Sequence, residues 1–199
     1  MMLRGLTLSG QVRLRLMLLM ATGLIVFLFV LSRWVILPYR VSGGSMRPAL
    51  VGTEGVDPGV TGDIVLVNHL AYFRKRPARW DVVMLSSSDE VYKDNAGDPA
   101  GRVKRIVGLP GETVAIRGGN LLIDGIDMKL PDRTGTPYVV SKGHYGHNPV
   151  PLGENEYFVL GDNSYLSSDS RQRGPVRSES IQGKVILVVY PWERFGAVP

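Results

Sequence analysis

The sequence predicts a mainly β domain preceded by a single membrane-spanning helix. Three observations carry this prediction. An apolar run near the amino terminus is long enough to cross a bilayer. Beyond it, short apolar runs recur between clusters of Gly, Pro, Asn and Asp, the pattern of strands separated by turns. The 24 glycines and 13 prolines among 199 residues are many for a helical bundle.

The helix comes first. Between residues 16 and 31 only Ala21, Thr22 and Gly23 are not strongly apolar, and after Ser32 and Arg33 the apolar character resumes through Trp34, Val35, Ile36 and Leu37. The 22 residues from 16 to 37 would extend about 33 Å as a helix, against a hydrocarbon core of about 30 Å. Arg33 sits near the distal end, where its stem can snorkel to the headgroups beside Trp34 and Tyr39. Pro38 is expected to stop the helix. A cleavable secretory signal also has a basic start and an apolar middle. No small-x-small cleavage pattern follows here, so a retained anchor is expected. The chain then divides into an amino-terminal segment 1–15, a span 16–37 and a β-rich domain 38–199. Arg4, Arg13 and Arg15 before the span are balanced by Arg33, Arg40 and Arg47 at or beyond its end, so basic residues leave the orientation open.

Seven runs after Arg40 have the length and apolar character of strands: 64–67, 81–85, 103–107, 113–116, 121–123, 157–160 and 185–190. Between Ile116 and Leu121, Arg117-Gly118-Gly119-Asn120 can supply the positive φ angles of a tight hairpin. Residues 86–101 and 131–153 lack periodicity and read as surface insertions or long loops. No second long amphipathic helix and no internal repeat is visible.

Composition narrows the chemistry. With no cysteine there is no disulfide, thiolate nucleophile or zinc–thiolate site. The formal charge of +5 arises from 23 basic and 18 acidic residues that are scattered rather than gathered with aromatics, so no nucleic-acid partner is expected. A mildly positive surface beside anionic lipid explains the charge as well. No cofactor and no metal is expected, since the His144/His147 pair lacks a third ligand at a sensible spacing.

Immediately after the span stands Ser42-Gly43-Gly44-Ser45-Met46-Arg47-Pro48, where glycines would let a polypeptide backbone approach Ser45. By itself such a turn is most simply a flexible joint. A serine hydroxyl needs a neighbouring base to become a nucleophile, either a histidine oriented by a carboxylate or a neutral lysine. None of His69, His144 and His147 lies in a turn suited to a triad. Lys104 lies within the strand-like run Arg102-Val103-Lys104-Arg105-Ile106-Val107-Gly108, on the face opposite Val103 and Arg105. Apolar surroundings would disfavour its charged form and make it a candidate base, although an exposed strand lysine is the simpler local reading. A third constellation, from Gly161-Asp162-Asn163 through Ser167-Ser168-Asp169-Ser170-Arg171, is too polar for core. It suits either a surface turn or a hydrogen-bonded network that fixes a reacting lysine.

Taken together, the Ser45 turn, Gly62-Asp63-Ile64-Val65-Leu66-Val67, Lys104-Arg105-Ile106-Val107-Gly108-Leu109-Pro110-Gly111-Glu112 and the Gly161–Arg171 loop resemble type I signal peptidases, in that family's order. The resemblance extends from the span to about Tyr190. It implies a signal-peptidase-like β domain on the extracytoplasmic side of the cell membrane, held by a single-pass anchor, with residues 1–15 cytoplasmic. It further implies that Ser45 attacks a preprotein carbonyl, that Lys104 takes its proton, and that an acyl-enzyme is hydrolysed by water. Ser167 corresponds to the serine that orients the lysine. Asp169 with Arg171, and Arg105 with Asp162, correspond to structural ion pairs. The partners implied are preproteins with small residues one and three positions before the cut, with Val41 and Leu50 contributing to shallow pockets, and membrane lipid. Three departures stand out. Gly43 replaces a serine common two residues before the nucleophile, which leaves backbone N–H groups to bind the oxyanion. Glu112 replaces a commoner aspartate, and residues 131–153 match no part of the pattern. A dedicated maturation peptidase of a conjugation or pilus system, or an inactive membrane-anchored scaffold, would share much of the same sequence.

Overall fold

The computed structural model describes residues 10–53, 61–86, 103–129, 138–139 and 144–198, and of residues 30–34 the backbone alone. The chain forms two compact units divided after Ile36.

The first unit holds α1 (Gly10–Val35), 26 residues and so about 39 Å long. Leu18, Leu19 and Met20 are 59%, 69% and 75% exposed. Successive residues point about 100° apart, so the helix is apolar around its circumference, as a helix in lipid is. Over residues 10–29 it is long and apolar enough to cross a membrane. The helix differs from the one expected over 16–37: it starts earlier and stops at Val35, and Ile36 and Leu37 enter β1 (Ile36–Arg40). Pro38 gives the reason, because the residue before a proline is disfavoured in the helical region. The side chains of Arg33 and Trp34, on which the snorkelling expectation rests, lie outside the described residues.

The second unit continues through β2 (Ile64–Asn68), β3 (Val82–Leu85), β4 (Val103–Gly108), β5 (Thr113–Arg117), β6 (Asn120–Ile123) and β7 (Ile126–Met128). It ends with β8 (Val150–Pro151), β9 (Glu156–Leu160), α2 (Ser170–Arg173), β10 (Val176–Arg177), β11 (Ile181–Tyr190) and β12 (Gly196–Ala197). All seven runs read as strands from the sequence are strands. The larger sheet has the order β1-β2-β11-β3-β4-β9-β10, with β12 also paired to β11; the smaller runs β7-β6-β5-β8.

Strand β4 lies between β3 and β9, with Lys104 opposite Val83, and Arg105 opposite both Val82 and Leu160. Every residue of β4 is buried because apolar side chains cover both faces. Val103 packs with Val65, Val67 and Met84, while Ile106 packs with Val83, Tyr157 and Val159. Each fully buried aliphatic side chain of this kind contributes about 1.5–3 kcal/mol. The core thus withdraws a lysine from water at the middle of a sheet.

The β5–β6 hairpin forms as expected, with Arg117 opposite Asn120 and Gly118 and Gly119 at φ 58° and 88°. Those two positive angles fit the type I′ turn whose twist matches the flanking strands. The stretch 131–153 is a partial correction. Tyr138 and Leu152 are core residues beside Phe158, and Val150–Pro151 pairs with β5. A two-residue strand shows no period for sequence reading to detect. Residues 131–137 and 140–143 of that stretch, and 87–101 of the other, lie outside the described residues.

Candidate active site

Ser45 sits in a single 3-10 turn, Gly44–Met46, entered from extended backbone at Gly43 with φ −81° and ψ 156°. The turn is held from below. Met46 and Leu50 are buried, and Leu50 N–H donates to the Met46 carbonyl at 2.8 Å. A Cβ on Gly52 would stand 2.2 Å from the Gly43 carbonyl oxygen and 2.3 Å from that of Ser42, so only glycine lets these segments meet. Asp63 completes the seat: its backbone bonds Val41 and Val51, and its fully buried carboxylate accepts from Val51 N–H at 2.8 Å and from Arg194 Nε and Nη2 at 2.9 and 3.0 Å.

Lys104 is 3% exposed, and its Nζ lies 3.0 Å from Ser45 Oγ and 3.0 Å from the Val103 carbonyl oxygen. The hydroxyl and the amine, 59 residues apart in the chain, are within hydrogen-bond reach of each other. This is the distance proton transfer requires.

The loop after β9 braces the other side. Asn163 N–H donates to the Ser45 carbonyl at 2.9 Å. A Cβ on Gly161 would come within 2.2 Å of Ser167 Oγ and 2.5 Å of the Ser45 carbonyl oxygen. Asp169 organises the turn: its carboxylate accepts from Gly161 N–H at 2.9 Å, caps α2, and takes both Nε and Nη2 of Arg171 at 2.8 Å. Arg171 also donates to the Val139 carbonyl at 2.9 Å and to Ser164 Oγ. Beneath lies a second forked pair, Arg105 Nε and Nη2 on Asp162 at 2.8 and 2.7 Å, with neither side chain exposed. Burial pushes the Asp162 carboxyl up from its ordinary value, against the pull of Arg105 and then Lys104.

Of the residues singled out from sequence, Ser45 and Lys104 meet, and Asp169–Arg171 and Arg105–Asp162 pair with each other. Ser167 is buried against Gly161, and among the described residues its Oγ has no hydrogen-bond partner, Lys104 included. Val41 and Leu50 lie in the core cluster with Met46. Leu50 presents no surface at all, so any influence on a pocket passes through its neighbours. His69 is engaged elsewhere, with Tyr39 Oη at 3.1 Å and the Gln182 carbonyl at 3.0 Å. Glu112 fits its place: it accepts Leu109 N–H at 2.7 Å and pairs with Arg79. Sequence reading missed the Asp63–Arg194 pair. The Gly62-Asp63 box pointed to one half, but nothing local marks Arg194.

Comparison with known proteins defines first a class and then a family. The chain is 31% identical over 174 residues to signal peptidase I S of Bacillus subtilis (strain 168), covering 84% of each chain. It is 30% identical over 134 residues to signal peptidase I of Leptolyngbya laminosa, covering 67% of this chain and 63% of that one. It thus spans less than two thirds of the length of that cyanobacterial relative. A crystal structure of a signal peptidase I from Enterococcus faecalis V583 aligns at 31% identity with a TM-score of 0.40, over 56% of this chain and 97% of that one. Both curated relatives are peptidases by name. The family model described as signal peptidase, peptidase S26, matches residues 13–192, and the chain belongs to that family.

Proposed function

We propose that this protein is a membrane-anchored serine endopeptidase that removes amino-terminal signal peptides from preproteins, with Ser45 as nucleophile and Lys104 as general base. The 3.0 Å approach of Lys104 Nζ to Ser45 Oγ inside a buried strand carries this reading. A lysine withdrawn from water holds its proton less tightly, which lets a neutral amine accept the hydroxyl proton. Ser45 Oγ then adds to the scissile carbonyl. The tetrahedral intermediate expels the amine of the mature protein, which takes the proton from Lys104, and leaves an ester on Ser45. Water, deprotonated by the same lysine, hydrolyses that ester and frees the serine.

The oxyanion falls to backbone N–H groups. The first N–H groups of a helical turn have no partner within it, and Ser45 belongs to such a turn. Ser167 and the two forked ion pairs are positioning residues, which hold the Gly161–Arg171 loop against the Ser45 peptide. Family membership supports preproteins as substrates, cut after small residues at the first and third positions before the bond. The anchor holds Ser45 near membrane-tethered signal peptides and raises their effective concentration. The catalytic domain is read as extracytoplasmic, on a single-pass span.

The test is cleavage of several preproteins by the full chain in detergent, with the product's amino terminus sequenced. Cutting after small-x-small sites by the wild type, and none by Ser45→Ala, supports the reading. Cutting of one preprotein alone would favour a dedicated maturation enzyme, and undiminished cutting by Ser45→Ala would overturn the nucleophile.

A further inference from the structure

Two apolar side chains project from a loop that is otherwise tied down. Ser164 and Ser167 are 6% and 3% exposed, whereas Tyr165 and Leu166 between them are 72% and 64% exposed. A lone exposed apolar residue needs no explanation. An adjacent pair held out on a clamped projection beside a reactive serine does.

The clamp is specific. Ser164 Oγ accepts from Val139 N–H at 2.7 Å and from Arg171, and Ser167 backs onto Gly161. Tyr165 N–H donates to Asn163 Oδ1 at 3.3 Å, and Leu166 N–H to the Asn163 carbonyl at 3.3 Å. Asn163 N–H in turn donates to the Ser45 carbonyl, so the projection is fixed to the peptide of the nucleophile. Leu166 also leans on the serine turn: a Cβ built on Gly44 would lie 3.3 Å from Leu166 Cδ1.

We propose that Tyr165 and Leu166 form a specificity shelf beside Ser45 that takes an apolar side chain of the bound polypeptide within three residues of the scissile bond. This rests on the reading of Ser45 as the nucleophile of a peptidase. An extended chain advances about 3.3 Å per residue, so three residues on either side of the cut sweep roughly 10 Å each way. Leu166, in contact range of the residue preceding Ser45, falls within that sweep. The absence of a side chain on Gly44 leaves the flank of the shelf open. The shelf differs from the shallow pockets assigned to Val41 and Leu50, which lie in the core cluster rather than on this projection.

The experiment uses the full chain in detergent and peptides copied from a preprotein that it cuts. Each position from three before to three after the cut is switched between Leu and Ser, apart from the two that must stay small. The wild type is expected to prefer Leu at one position by roughly 5- to 20-fold in kcat/KM. Leu166→Ser and Tyr165→Ser should flatten that preference to within about 2-fold, while Leu166→Met, which keeps an apolar side chain of similar size, retains it. Unchanged position profiles in both serine variants overturn the shelf. So does an effect confined to binding of lipid vesicles, which would make bilayer rather than substrate its occupant. Peptide cutting that survives Ser45→Ala is a distinct failure, which removes the nucleophile assignment beneath the proposal.

Discussion

The carboxylate of Asp63 and the guanidinium of Arg194 are joined by two hydrogen bonds, at 2.9 and 3.0 Å, across 131 residues of sequence. Through Asp63 the last part of the chain holds the segment that carries Ser45. Arg194→Ala leaves a fully buried carboxylate with one backbone donor, and a buried carboxylate stripped of its partner is costly. The Arg194 side chain is 33% exposed, so solvent softens the loss to about 1–3 kcal/mol. Urea unfolding checks this: the midpoint should fall in Arg194→Ala and recover in part in Arg194→Lys.

The Arg105–Asp162 pair makes a different prediction, because both partners are wholly buried. Removing one side strands a charge and should cost about 3–5 kcal/mol, whereas replacing both with apolar residues of similar volume should cost much less. Thermal unfolding of Asp162→Leu, Arg105→Met and the double variant separates the two cases. A double variant as unstable as the worse single would show that the loss lies in packing rather than in unpaired charge.

Gly161 has no room for a side chain. Its Cβ would meet Ser167 Oγ and the Ser45 carbonyl oxygen well inside contact distance, so Gly161→Ala must displace the loop or the Ser45 peptide. A displacement of about 1 Å at a reacting group can cost around 100-fold in rate. Steady-state kinetics of Gly161→Ala should show a fall of that order in kcat, larger than any change in KM. Retention of most of kcat would mean that the site tolerates the shift.

Asp81 sets an acid limit. Burial opposes its ionisation, but hydrogen bonds from Lys184, Ala78 N–H and Tyr72 outweigh it and hold the carboxyl below its ordinary value. A carboxyl depressed in the folded state contributes stability above its unfolded pKa of about 3.9 and loses it as pH falls through the folded value. The stability gap between wild type and Asp81→Asn should therefore be full near pH 6 and shrink below about pH 4. Denaturant midpoints at several pH values measure it, and a gap that stays constant to pH 2 would contradict the assignment.

What was legible in the sequence follows from how far each signal reaches. Strands of four or more residues can show a period, so those around Val103, Val114 and Val185 could be read directly. The pairs Val150–Pro151, Val176–Arg177 and Gly196–Ala197 are too short to carry one. The end of α1 was misplaced because Pro38 acts on the residue before it as well as on itself. At the site, Ser45, Lys104 and the Gly161–Arg171 loop were visible as local boxes. Their meeting was not, since no local pattern encodes a contact across 59 residues. Arg194 is one arginine among several in the sequence and gains its place only from the register of β11 and the turn that follows it. The role of Ser167 in orienting the lysine rests on the family resemblance alone, and its hydroxyl lies against Gly161.

The central claim is that Lys104 is the base for Ser45, and the most direct measurement is kcat/KM for a preprotein with Lys104→Met and Lys104→Arg beside the wild type. Methionine keeps much of the length and suits the apolar strand, so the fold should persist, as circular dichroism would show. Loss of a general base costs about 100- to 10,000-fold, and both variants should fall in or below that range. A folded Lys104→Met enzyme that keeps its rate within about 10-fold of wild type would contradict the dyad and place the base elsewhere.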